Sequence, residues 1–138
     1  MRKILFFILP VIVIFGTFIS AQGVPDTKVV AYYFHGTFRC PTCMNMEKYS
    51  RGAIENNFKD ALASGKLEFK AVNVEERGNE HFVQDYKLYT KSLILSLIKD
   101  GKEIKSKNLT KIWDFVRNKQ KFFDYVSEEV KNFLEEAQ

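Results

Sequence analysis

The chain has 138 residues, 46% of them hydrophobic, with 13 phenylalanines: enough for one hydrophobic core in one domain. Of its 21 basic residues, Arg2 and Lys3 lie in an apolar leader, so the remainder carries 19 basic against 17 acidic residues. The lysines are interspersed with glutamates, the pattern of a solvated surface, and this argues against nucleic-acid binding.

Arg2 and Lys3 precede an uncharged apolar run, Ile4 to Ile19, and small residues follow at Ser20, Ala21 and Gly23. This reads as a secretory signal peptide over residues 1–23. An uncleaved N-terminal anchor is the alternative, although the run is short for a span of ~20 residues and Pro10 interrupts it. The remaining residues, 24–138, form the domain. Val29 to Phe34 is a continuous apolar run of strand length, the signature of a strand covered on both faces. From Met44 to about Ser64, Met46, Tyr49, Ala53, Phe58 and Leu62 recur roughly every fourth residue. That spacing predicts a helix, with Gly52 as a kink and Ser64-Gly65 as its end.

Leu67 to Val74 reads as a second strand, parallel to the first across the helical crossover. Asn79 to Leu88 reads as a short helix capped by Asn79, with Phe82, Val83 and Tyr86 on its buried side. Leu93 to Ile98 is a strand, and Asp100-Gly101 turns it into Glu103-Ile104-Lys105. Asn108 onward is mostly helical: a short turn holding Trp113, then a helix with Phe122, Val126, Val130 and Phe133 on one face.

Both cysteines lie in one motif, Arg39-Cys40-Pro41-Thr42-Cys43, between the first strand and the first helix. A helix N-terminus presents unpaired N–H groups and about half a positive charge, which favours a thiolate at Cys40. Pro41 suits the first helical position, where its missing N–H costs nothing. Cys43, almost a turn later, can return to attack a mixed disulfide on Cys40. Arg39 and the loop residue His35 are candidates for stabilising that thiolate, whereas Glu47 reads as a solvated helix residue. A different chemistry is also open: Cys40, Cys43, Met44 and Met46 are soft donors that could carry a thiophilic metal or metalloid. Two cysteines do not complete a zinc site, and His35 with His81 makes a poor source of further ligands. A purely structural staple is disfavoured, because so short a loop gains only about 2 kcal/mol from closure.

The motif in its strand–helix context, followed by strand, helix, β-hairpin and a last helix, resembles the thioredoxin-like family from about Val29 to Leu134. The resemblance implies an α/β, three-layer sandwich with a central mixed sheet. It also implies thiol–disulfide exchange, with Cys40 as nucleophile and Cys43 as resolving cysteine. Three departures set the chain apart from thioredoxins. Arg39 stands where they carry Trp, and Tyr33 or Phe34 stands where they bury an Asp. Ser92 or Leu93 occupies the place of their cis-proline, just before the first strand of the hairpin. The specific activity of cytosolic thioredoxin therefore does not carry over. No cofactor or metal is implied. The implied partners are proteins bearing thiols or disulfides, with a membrane electron donor as a further candidate, and the chain is expected to be a monomer.

Overall fold

The structure, a computed structural model, describes residues 26–138, and the leader predicted over residues 1–23 lies outside them. Strand β1 (Thr27–His35) is the centre of the sheet. It pairs in parallel with β2 (Leu67–Asn73) and antiparallel with β3 (Ser92–Lys99), and β3 pairs antiparallel with β4 (Lys102–Asn108). The strand order is β2-β1-β3-β4. This position explains the unbroken apolar run of β1: Val29, Val30, Ala31, Tyr33 and Phe34 are all buried.

Alternate residues serve different layers. Val29, Ala31 and Tyr33 join Leu93, Leu95 and Leu97 of β3 in a core completed by two helices. Helix α1 (Pro41–Asn57) contributes Met46, Ala53 and Ile54, and the C-terminal helix (Lys119–Glu136) contributes Phe122, Val126, Val130 and Phe133. On the opposite face Tyr32 and Phe34 stack at 5.4 Å and meet Phe82 and Tyr86 of a short helix (His81–Asp85). Two long helices, a mixed sheet and one short helix make the three layers.

Several boundaries differ from the sequence reading. Helix α1 starts at Pro41, as the motif predicts, but continues through Gly52 without a break and ends at Phe58, where φ is −130° and ψ is 39°. A second short helix, α2 (Lys59–Ala63), then restarts the chain before Gly65 turns it with φ +74°. Gly52 is needed for approach rather than for a kink: a Cβ there would lie 2.9 Å from Cζ of Phe123. The short helix α3 spans only His81–Asp85 and is not capped by Asn79, whose side chain instead donates to the Asn73 carbonyl at 3.0 Å. One turn and a half cannot bury three residues, so Val83 is exposed while Phe82 and Tyr86 pack inward.

Asp100 and Gly101 both adopt positive φ, 51° and 76°, as a two-residue hairpin turn requires. Strand β4 is exposed along its length, and Lys102, Lys105 and Lys107 line this sheet edge, where charge discourages pairing with another chain. It extends to Asn108, past the predicted three residues, before α4 (Ile112–Phe115) leads into α5 (Lys119–Glu136). Asn118 caps α5, its side chain accepting the Lys121 N–H at 3.0 Å.

Candidate functional site

The motif sits where the central strand hands the chain to α1. Cys40 is the N-cap of that helix, with extended φ and ψ of −77° and 156°, and Pro41 follows at the first helical position. The Cys40 Sγ accepts the Cys43 N–H at 3.1 Å, the role an N-cap oxygen ordinarily plays. No acidic residue occupies the first turn of α1, so the positive end of its dipole faces Cys40 uncompensated. The two cysteines form a disulfide with Cα atoms 5.1 Å apart. They are not equivalent: Cys43 is buried, whereas Cys40 is part-exposed.

Beneath the pair, the Tyr33 hydroxyl donates to the Cys43 carbonyl at 2.7 Å. Burial holds the Tyr33 hydroxyl well above its ordinary pKa of 10.0, with Arg39 opposing and Glu47 adding to the effect. It is therefore a constant donor at any physiological pH. Sequence reading placed Tyr33 or Phe34 where thioredoxins bury a carboxylate, and the structure puts Tyr33 against the motif itself.

The charges above the helix form a linked set. His35 Nδ1 lies 2.9 Å from the Gly36 carbonyl, which can only accept. Nδ1 therefore carries the proton, and Nε2 is free to accept from Arg39 Nη1 at 3.3 Å. The other Arg39 amino group pairs with the Glu47 carboxylate, which also faces Arg51 at 3.6 Å. Glu47 is thus not the solvated helix residue expected. Its side chain is only 19% exposed, and its charge offsets that of Arg39 beside the motif.

The loop between β1 and α1 is fixed from outside by a residue the sequence did not single out. Glu75, in the loop after β2, accepts the Thr37 N–H at 2.9 Å, and Asn73 donates to the Thr37 hydroxyl at 3.1 Å. The Thr37 hydrogen bonds hold the Glu75 carboxyl below its ordinary 4.5. Gly36 makes the arrangement possible, since a Cβ there would fall 2.6 Å from Glu75 Oε1.

Strand β3 begins at Ser92, so Lys91 is the residue immediately before it. Ser92 is buried with its hydroxyl donating to the Thr90 carbonyl at 2.9 Å, and Leu93 belongs to the core. The Lys91 carbonyl accepts the indole N–H of Trp113 at 3.0 Å, and Trp113 lines a groove shared with Thr42, between the two cysteines. The four soft donors are not gathered together: Met46 lies in the core and Met44 is half exposed. His81 pairs with Asp85 on α3 at 2.7 Å. Among the described residues, no group of three or more His, Cys, Asp or Glu side chains is placed to hold a metal ion.

A mixed sheet in the order β2-β1-β3-β4, helices on both faces and a Cys-x-x-Cys disulfide capping the helix after the central strand make up a thioredoxin-like fold. Among solved structures, the chain is similar to a thioredoxin of Fasciola hepatica: 24% identity, covering 65% of this chain and 79% of that one, with a TM-score of 0.38. It is also similar to a cysteine-to-serine mutant of an Entamoeba histolytica thioredoxin: 22% identity, 66% and 84% coverage, TM-score 0.33. No protein-family model matches the chain, and no curated protein matches it.

Proposed function

We propose that this protein is an exported thiol–disulfide oxidoreductase that exchanges disulfides with partner proteins through Cys40 and Cys43. The observation that carries the reading is the asymmetry of the pair. Cys40 is part-exposed at an uncompensated helix N-terminus, and Cys43 is buried one turn inside. When the pair is reduced, the Cys40 thiolate attacks one sulfur of a partner disulfide, forming a mixed disulfide and releasing a partner thiolate that takes up a proton. Cys43 then loses its proton and attacks Cys40 Sγ. The second partner thiolate leaves and is protonated, so two electrons and two protons pass to the partner. Run backwards, the same steps oxidise a dithiol.

Export is supported by the basic residues, apolar run and small residues of the 1–23 leader. Retention of that leader would tether the domain to a membrane. Among the described residues, no helix is long and apolar enough to cross one.

The test of the exchange reading is trapping. Cys43→Ser should accumulate a stable mixed disulfide on Cys40, because nothing remains to resolve it, and Cys40→Ser should not. Equal trapping by both variants would overturn the assignment of the nucleophile.

A further inference from the structure

Arg39 and Met44, next to the first and second cysteine respectively, line a groove of ≈ 540 Å³ whose floor includes Tyr49, Gly52 and Phe123. The space exists because position 52 lacks a side chain, letting the Phe123 ring lie against α1. Six charged side chains with two different fates surround this floor. Arg39, Glu47, Arg51 and Glu55 pair with one another in a chain of ion pairs. Lys48 and Lys119 have no carboxylate partner among the described residues.

Lys119 Nζ already sits over the aromatic floor, 5.2 Å from the Phe123 ring centroid and 6.0 Å from that of Tyr49. It is also the first residue of the 18-residue helix α5, whose first turn contains no acidic residue, so the helix dipole adds to the same positive potential. The groove therefore offers apolar contact below and uncompensated positive charge beside it. A lone inorganic anion would satisfy the lysines but leave the aromatic floor uncovered. A peptide segment carrying an apolar side chain between carboxylates would satisfy both.

We propose that this groove docks the segment of the partner protein that surrounds its exchanging cysteine, and that it selects segments with carboxylates flanking an apolar residue. The proposal rests on the exchange reading of Cys40 and Cys43. It names the partner's chemistry, which that reading leaves open.

Binding is measured apart from exchange with two labelled linear peptides, alike except that a central Phe is flanked by Glu in one and by Lys in the other, each with Ser in place of Cys. Fluorescence anisotropy with the oxidised protein should show the Glu peptide binding about five-fold tighter, the scale two exposed ion pairs supply. The preference should collapse at about 0.5 M salt, where the screening length falls to a few ångströms. The double variant Lys48→Glu, Lys119→Glu should reverse it. Both positions are on the surface, and Glu suits the first turn of α5, so the fold is retained. Equal affinities for the two peptides, or a preference unchanged by the double variant, would overturn the proposal. Reduction of the uncharged hydroxyethyl disulfide by the reduced protein serves as the separate arm. It should proceed in the wild type. Its complete absence would sink the exchange reading while leaving the affinities to judge the groove.

Discussion

The Arg39 guanidinium is held between the His35 imidazole and the Glu47 carboxylate, so the cation adjacent to Cys40 is already paired. Glu47 therefore sets how much of the Arg39 charge the cysteine experiences. Glu47→Gln should lower the Cys40 pKa and raise the reduction potential, because it frees the guanidinium. Arg39→Ala should do the reverse, leaving the Glu47 carboxylate with only the more distant Arg51 guanidinium, at 3.6 Å, to offset it. Shifts of about half a pH unit correspond to roughly 15 mV for a two-electron couple. Thiolate absorbance against pH and glutathione equilibration read the two quantities. Shifts of the same sign in both variants would contradict this arrangement.

The wild-type disulfide is expected to be a stronger oxidant than that of thioredoxin, whose potential is about −270 mV. Stabilising the Cys40 thiolate stabilises the reduced form, and the buried side chain donating to the motif, Tyr33, is a neutral hydroxyl rather than a carboxylate that would oppose ionisation. Equilibration against glutathione gives the value directly. A potential at or below that of thioredoxin would show that the helix N-terminus does not activate Cys40.

Tyr33→Phe removes a buried hydrogen bond to the Cys43 carbonyl and should cost about 1 kcal/mol, or roughly 5 °C in Tm. It should also change the alkaline limb of stability. In the unfolded chain Tyr33 releases its proton near 10.0, whereas burial retains it in the fold. Its contribution is therefore complete below that pH and is lost as pH rises toward the higher folded value. The slope is about 1.4 kcal/mol per pH unit for one proton. Urea unfolding on both sides of that pH should show the variant losing one proton's share of the slope, with Tyr86 and Tyr125 supplying the rest.

Glu75 should report acid loosening of the site loop. Its folded pKa is depressed by hydrogen bonds from Thr37, so the clamp is intact above 4.5 and is lost as pH falls through the lower folded value. The Thr37 amide proton resonance should titrate with a midpoint below 4.5, and Glu75→Gln should abolish that titration. Gly36→Ala, whose methyl needs the space Glu75 fills, should abolish it too. A Thr37 amide that titrates unchanged in Gly36→Ala would rule out the close approach.

At Gly52 two effects of opposite sign compete. Alanine gains about 1 kcal/mol of helix propensity but brings its methyl 2.9 Å from the Phe123 ring tip, which can swing away. Gly52→Ala should therefore change stability by less than about 0.5 kcal/mol, whereas Gly52→Val, with no room to adjust, should cost about 2 kcal/mol. Urea midpoints decide it.

These pairings also show why the sequence was readable in some places and not in others. The β1 run, the start of α1 at Cys40-Pro41, the Asp100-Gly101 turn and the buried face of α5 all follow from residues a few positions apart. Gly52 looked like a kink because its reason is Phe123, on another helix. Glu47 looked solvated because its partner lies across the loop–helix junction, eight residues back. Glu75 gave no signal at all, since its role exists only once β2 has paired with β1 and brought it 38 residues back to Thr37. Val83 fitted a helical period, but periodicity does not reveal that α3 has too few turns to bury it.

Trp113 is the one tryptophan of the chain, pinned by its indole N–H to the carbonyl just before β3 and sharing a groove with Thr42 between the cysteines. A disulfide quenches indole emission at short range, and a dithiol does so far less. The protein therefore carries its own optical gauge: the glow of this single ring should brighten as the Cys40–Cys43 bond is reduced, so its redox state can be watched without any added dye.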